Sequence, residues 1–447
     1  MSNNNISAVK TDGEPAATGP REVIAWAFYD FANSGYTTVV LTAIYGTYFV
    51  AVVAGGAPGM ADGTATFLWT LAIAIANLCV LVCAPILGAI ADYRASKKRF
   101  LLFTTVVCVF GTASMAIAGP GQLVLGMTLL IVATVAFSAG ENLIAAFLPE
   151  IASPDNMGRI SGYGWSLGYF GGLLTLGTCL AYINWATGQG HQASEYVPVT
   201  LIITAVIFAL SATPTFMYLR ERATPRKLPQ GISYWSLGLA EVTTTVRNAR
   251  HFKDLFRFII CLTAYQSGVA TVVVIAAIYA QAVMGFDSQQ LIILIMVVNL
   301  TASIGAFLFG IAQDRYGSVP TLAAGLLVWL AAIGVTYLAE SASDVWLAGN
   351  LMGLAMGATQ AGGRALIGQL TPVERSAEFF GLWGFASRAA AIIGPLCYGV
   401  ISHFSDGNHR MAMLSTATFF LIGLALLFTV DEKRGIAARN SDTVKLA

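Results

Sequence analysis

Charge is what this sequence has least of. Asp, Glu, Lys and Arg make up 11% of the 447 residues, against 56% for the hydrophobic types. Soluble chains carry about 25% charged residues, so a set of soluble domains is excluded. The 24 basic and 23 acidic residues leave a formal charge of +1, which gives no reason to expect a nucleic-acid partner. Histidine is scarce too. His191, His251, His403 and His409 lie at the ends of apolar runs or between them, an arrangement that argues against a buried metal site or a histidine proton relay. The six cysteines (Cys79, Cys83, Cys108, Cys179, Cys261 and Cys397) sit inside apolar segments without a Cys-x-x-Cys pair. Neither a disulfide framework nor a metal is expected from them, and they read as small packing residues. No P-loop and no nucleophile elbow is present, which disfavours direct ATP drive and a membrane enzyme. No cofactor is expected. Residues 1–20 are polar and lack an apolar core after a basic start, so they read as a short disordered tail rather than a signal peptide.

Long apolar runs dominate instead. Twelve helices of roughly 22 residues would use about 264 positions, close to the apolar fraction. The runs are continuous rather than alternating, which excludes a membrane β-barrel. Only helices then satisfy the backbone in lipid, so the fold class is all-α and polytopic. The predicted spans are 29–53, 67–90, 100–118, 123–148, 160–183 and 197–219, then 255–283, 291–311, 319–338, 345–370, 377–401 and 411–430. Arg364 and Arg388 fall within spans and Arg410 lies on one face. The other basic residues share the opposite face with both chain ends, and such asymmetry predicts cytoplasmic termini. The longest polar connection, Arg220 to Asp254, divides the chain. The expected organisation is a tail (1–20), a six-helix bundle (21–219), a basic linker (220–254), a second bundle (255–430) and a tail (431–447). The linker's positive charge serves topology and headgroup attraction, with a partner-binding role as the lesser alternative.

The halves resemble each other weakly. Gly88-Ala-Ile-Ala-Asp92-Tyr-Arg94 closes span 2, and Gly310-Ile-Ala-Gln-Asp314-Arg315-Tyr-Gly317 closes span 8. Asn33-Ser34-Gly35 in span 1 matches Gln266-Ser267-Gly268 in span 7. An even number of helices per half makes these parallel repeats. The doubled G-x-x-x-D loop in a six-plus-six chain resembles the signature loop of the major facilitator superfamily. Trp26-Ala-Phe-Tyr-Asp30-Phe-Ala-Asn33-Ser34, Phe147-Leu-Pro149-Glu150 and Gly162-Tyr-Gly164-Trp165 resemble its vacuole-effluxer-like branch, named for a fungal vacuolar amino-acid exporter. The first loop departs from the superfamily pattern around Ala95-Ser96, where a glycine usually stands. The resemblance implies two pseudo-symmetric bundles, a central cavity lined by spans 1, 4, 7 and 10, and a monomer.

Ionisable residues inside spans are costly and mark functional positions. Asp30, Glu141, Arg364 and Arg388 are the four. Glu141 and Arg364 are equivalent in spans 4 and 10. The resemblance lets them approach across the cavity, as a latch that closes one side, against the alternative that each is neutralised within its own half. Arg388 sits among small neighbours, where its guanidinium can hold a substrate carboxylate in a bidentate pair; a structural pair with Asp30 or with a backbone carbonyl is the alternative. A buried carboxylate such as Asp30 or Glu141 suits a proton carrier. Asn33, Asn142, Gln266 and Gln360 lie on the cavity spans. Tyr265, Trp165 and Trp383 are further candidates for substrate contact. Asp92 with Arg94, and Asp314 with Arg315, are expected to gate the cytoplasmic end by pairing with arginines or capping neighbouring helices. The reading is a secondary transporter for a small polar solute (an amino acid, small peptide or related carboxylate) in a plasma or inner membrane. Protons and lipids are its other partners. An amphipathic or lipid cargo on the same fold is the alternative.

Overall fold

The computed structural model describes residues 18–55, 64–225, 233–247, 251–286, 288–404 and 409–446. The tail expected before Pro20 lies, through residue 17, outside the described residues. Helices α1 (Pro20–Tyr36), α2 (Thr64–Tyr93), α3 (Lys97–Ser114), α4 (Leu123–Ala145), α5 (Met157–Gly188) and α6 (Ala193–Tyr218) form the first half. The second half holds α7 (Lys253–Met284), α8 (Ser288–Tyr316), α9 (Ser318–Leu338), α10 (Ala342–Leu370), α11 (Ser376–Phe404) and α12 (Ala417–Leu427). No strand occurs among the described residues. Large side chains such as Phe103, Phe110, Leu210, Leu338 and Phe428 are exposed around the outside, as a lipid-facing belt requires.

Ten described helices are long and apolar enough to cross a membrane, or eleven if the bent pair Met413–Leu427 and Glu432–Ser441 is one span. The sequence pattern predicts twelve. Two of the expected spans account for the difference. The 345–370 span is a 29-residue helix, α10, that carries Asp344, Gln360, Arg364 and Gln369, polar groups that belong to a protein-facing helix rather than a lipid-facing one. The last span is broken at Thr416, between His409–Ser415 and α12. The first span starts at Pro20 rather than Tyr29, because proline suits the first helical turn and Glu22 there is held by Arg222 at 2.7 Å. Past Tyr36 this span loosens into π-helical turns, Thr37–Ala43 and Phe49–Ala54, which periodicity did not foretell.

Local signals explain several helix ends. Ser341 and Asp344 form a reciprocal capping box at the start of α10, which satisfies amide donors that a helix start leaves unpaired. Between α2 and α3, Ala95 adopts φ 46°, and at the equivalent place between α8 and α9, Gly317 has φ 92°. Each follows its loop aspartate by three residues. The glycine missing from the first loop is therefore missing from a left-handed position, where an L-residue costs about 1–2 kcal/mol. Ala95→Gly is expected to raise the unfolding free energy by about 1 kcal/mol, seen as a higher thermal midpoint in detergent. An unchanged or lower midpoint would show that the loop is not strained.

The two halves meet tightly at one end, here termed the charged end, where α2 and α8 finish and α5 and α11 begin. A side chain at Gly88 would strike the Ala377 carbonyl, and one at Gly381 would strike Ala84 and Pro85. Gly158 and Gly162 of α5 lie equally close to Gly310 and Ala306 of α8. Small residues let these backbones touch, so this end is sealed. The helix Tyr234–Arg247 lies beside α2, with Gly238 against Ile86 and Ile90.

Candidate functional site

A cavity of about 240 Å³ lies between the halves. From the first half, α4 supplies Glu141 and Asn142, and α5 supplies Trp165. From the second, α7 supplies Gln266, Val269, Ala270 and Val273. Gln360 of α10 and Trp383, Gly384, Ser387 and Arg388 of α11 complete the wall. The α7 residues recur at i, i+3, i+4 and i+7, one face of a helix. The α11 residues recur at i, i+1, i+4 and i+5, again one face. That periodicity is the signal by which Ser387, Gly384 and the α7 aliphatics were findable once Gln266 and Arg388 were in hand.

Two ion pairs cross between the halves near this cavity, and they differ in exposure. Arg388 donates from Nη2 to Glu141 Oε2 at 3.0 Å, and these side chains are 20% and 28% exposed. Arg364 donates from Nη1 to Asp30 Oδ2 at 2.7 Å, with exposures of 3% and 11%. The first pair is open to a solute, whereas the second is sealed. Arg364 also donates to Ser161 Oγ at 3.1 Å and to the Ser161 carbonyl at 2.9 Å. Its guanidinium lies over the rings of Trp26 (4.7 Å) and Trp165 (5.3 Å). Every one of these partners belongs to the first half. Arg364 thus plugs one half into the other, and Trp165 serves both the plug and the cavity wall.

The pairing differs from the sequence expectation. Glu141 does not meet Arg364; it meets Arg388. Asp30 does not meet Arg388; it meets Arg364. Repeat equivalence sets two residues at similar depth but leaves open the direction in which each helix turns its side chain. Here α10 turns Arg364 toward α1 and α5, and α11 brings Arg388 to α4.

Several donors in the cavity are uncommitted. Asn142 Nδ2 and Trp165 Nε1 are buried and have no hydrogen-bond partner among the described residues. A side chain at Gly384 would collide with the Asn142 amide, so glycine there makes its room. Gln266 donates to Gln360 at 2.7 Å, an amide pair on the wall. Buried polar groups are normally satisfied, so these orphan donors beside an ion pair stand ready for an acceptor. Two expected contacts lie elsewhere. Asn33 is buried in α1 with its amide unpartnered, and Tyr265 packs at Gly363 and Gly423 within the second half. Neither lines the cavity.

The loop aspartates act as helix caps. Asp92 accepts from the Ala377 and Glu378 amides at 3.1 and 2.8 Å, at the start of α11. Asp314 accepts from the Gly158 and Arg159 amides at 2.8 and 3.1 Å, at the start of α5. In each case a carboxylate of one half sits on a helix N-terminus of the other, where the dipole favours it. Arg94 and Arg315 do not take part. Arg94 lies over the Tyr234 ring and Arg315 over Tyr316. The cation at the first loop is Lys97, which is fully buried. It pairs with Glu150, stands 3.6 Å from Asp92 and donates to Ser376 Oγ across the seam at 2.7 Å. A run of three basic residues (Lys97, Lys98, Arg99) hid which of them turns inward. The described residues hold no cluster of three or more His, Cys, Asp or Glu suited to a metal, and the six cysteines are free thiols.

Comparison with known proteins fits this architecture. The chain is 28% identical over 413 residues to an uncharacterised MFS-type transporter, YxiO of Bacillus subtilis (strain 168), covering 92% of this chain and 94% of that one. It is 24% identical to autophagy-related protein 22-1 of Aspergillus niger over 62% of this chain and 48% of the fungal protein, so it spans about half of that relative. Among solved structures, the human organic anion transporter MFSD10 superposes with a TM-score of 0.72 at 15% identity, over 92% of this chain and all of that one. The proton:xylose symporter XylE gives 0.71 at 12% identity, over 93% and 96%. The family model described as "Vacuole effluxer Atg22 like" matches residues 18–440. The protein is therefore a multi-pass membrane transporter of the major facilitator superfamily, not an enzyme, and belongs to the Atg22-like vacuole effluxer family.

Proposed function

We propose that the chain carries a single amino acid, or a carboxylate of that size, across the membrane by alternating access. The observation that carries this reading is the partly exposed Glu141–Arg388 pair inside the cavity. A zwitterion replaces that pair with two of its own, carboxylate to Arg388 and ammonium to Glu141, while Asn142 and Trp165 donate to the carboxylate's remaining lone pairs. The size is consistent. Pockets for drug-sized ligands run to about 300–1,000 Å³, and 240 Å³ suits something smaller.

The same reading assigns gating to the sealed end. Arg364 with Asp30, and the caps at Asp92 and Asp314, hold the charged end shut while the cavity opens at the other. A proton on Asp30 removes the charge that faces Arg364, which unlocks the seal and couples transport to protons. The bundles 21–219 and 255–430 rock about the linker 220–254, as a monomer, with the basic end and both termini in the cytoplasm of a plasma or inner membrane.

Counterflow in proteoliposomes tests this. Vesicles loaded with unlabelled neutral amino acids should accumulate labelled amino acid transiently and saturably. Exchange restricted to amphiphiles, with amino acids inert, would replace this reading with the amphipathic-cargo alternative.

A further inference from the structure

A second cavity, of about 520 Å³, opens on the outer flank of the molecule where α1, α5 and α8 meet. Its lining is almost wholly apolar: Val23, Ile24, Ala27 and Phe28 of α1, then Tyr163, Leu167 and Phe170 of α5, and Phe307 of α8. Its floor is the seam between the halves. There Ser166 and Ser303 share a hydrogen bond of 2.8 Å, and the Tyr163 and Phe307 rings stack at 5.8 Å. Ile24, Phe170 and Phe307 stand 55%, 51% and 43% exposed along it, too much apolar surface to face water and suited to hydrocarbon.

The charged end of this groove is marked by three arginines, one per helix. Arg21 precedes Ile24 and Phe28 by three and seven residues. Arg159 precedes Tyr163, Ser166 and Phe170 by four, seven and eleven. Arg315 follows Ile311 and Phe307 by four and eight. At 3.6 residues per turn these spacings keep Arg21 and Arg159 on the stripes that line the groove, while Arg315 stands about 80° around α8 from Phe307, at the groove's shoulder. All three are exposed. None of the three side chains has an ion pair or hydrogen bond among the described residues; Arg315 only overlies its neighbour Tyr316. Of the acids beside them in sequence, Asp314 has both oxygens committed to the amides of Gly158 and Arg159, and Glu22 is held by Arg222. Asp155 is the other acid close by.

We propose that this flank is a docking site for an anionic glycerophospholipid. One acyl chain lies in the groove and the phosphate rests among Arg21, Arg159 and Arg315. The reach is suitable, since Arg159 to Phe170 spans eleven residues, or roughly 16 Å along the helix. Charge complementarity selects the lipid. A phosphate takes guanidinium contacts in the fork geometry, and basic residues at the membrane surface attract anionic headgroups. Arg21 and Arg159 belong to the first half and Arg315 to the second. They share one headgroup only while the charged end is closed, so the bound lipid favours that state over the opened one.

Native mass spectrometry of the full chain, released from an equimolar mixture of phosphatidylglycerol and phosphatidylcholine, tests the site. Phosphatidylglycerol is expected to be retained in preference. Retention should fall about tenfold in Arg21→Gln/Arg159→Gln/Arg315→Gln, and also in Ile24→Trp, which fills the groove and leaves the arginines intact. Arg99→Gln/Lys253→Gln, elsewhere on the same end, should retain it as the native chain does. If the triple variant unfolds, Arg315→Gln alone replaces it, read against its thermal midpoint. Equal retention of both lipids, or native retention in the arginine variants, overturns the proposal. So does displacement by millimolar inorganic phosphate combined with native retention in Ile24→Trp, which would leave a plain anion site.

Discussion

Arg364→Ala is expected to destabilise the protein by about 3–5 kcal/mol, the cost of removing one partner from a buried ion pair. The loss has three sources. Asp30 keeps its charge with no counterion at 8% exposure. Ser161 loses the donors at 3.1 and 2.9 Å. The rings of Trp26 and Trp165 lose the cation between them. Asp30→Asn in the same chain removes the stranded charge, so the double variant is expected to unfold at a higher temperature than Arg364→Ala alone. With Asp30→Asn alone measured as well, the cycle isolates the pair from its surroundings. Thermal unfolding in detergent checks both halves of this prediction. A single variant as stable as the native protein, or a double variant no better than the single, would show that the pair does not hold the seal. In vesicles the same substitutions should leave the charged end open, read as increased labelling of a cysteine placed at Ser376, which is buried at the seam.

Arg388→Ala is expected to weaken apparent affinity for amino acids by about 10- to 150-fold. Hydrogen bonds to charged groups are worth about 1.5–3 kcal/mol, and about 1.4 kcal/mol is a factor of ten. Arg388→Lys should lose less, because the charge survives while the fork does not. The discriminating ligand is the methyl ester of the same amino acid. The native protein should prefer the acid over the ester, and Arg388→Ala should erase that preference, since only the carboxylate uses Arg388. Glu141→Gln should instead penalise any ligand with an ammonium, acid and ester alike. Equilibrium binding of acid and ester to the native protein and to each variant measures these preferences. If Arg388→Ala keeps the native preference for the acid, Arg388 is not the carboxylate anchor, and the pair at 3.0 Å is structural.

How much of the site was legible can be read from particular residues. Arg388, Gln266, Gln360, Asn142 and Trp165 were predicted as substrate contacts from polarity inside an apolar span, and all five line the cavity. Glu141 was predicted for gating and stands in the same wall. Asn33 and Tyr265 met the same criterion yet lie away from it. Polarity marks a position that must face protein, but a protein-facing position is a packing contact as readily as a cavity wall. Lys97 escaped notice because nothing in Lys97-Lys98-Arg99 distinguishes the lysine that is fully buried from the arginine that is exposed. Its burial depends on Glu150, which is 53 residues away, and on Ser376 in the other half.

Membrane insertion, an all-helical backbone and the doubled loop were determined by the sequence alone. The reason is local: an apolar run of about 20 residues has no satisfactory state in water, and its amides have none in lipid except a helix. Position along a helix is fixed by counting too, since a helix advances 1.5 Å per residue. Which charge meets which was decided only by the tertiary structure. Asp30 and Arg364 are 334 residues apart, and Glu141 and Arg388 are 247 apart. Depth leaves the azimuth of each helix free. The azimuths of α11, which carries Arg388, and of α5, which carries Ser161 and Trp165, are set by close glycine contacts between the halves and by two aspartates that cap these helices from the opposite half, none of which acts until both halves are folded and closed upon each other.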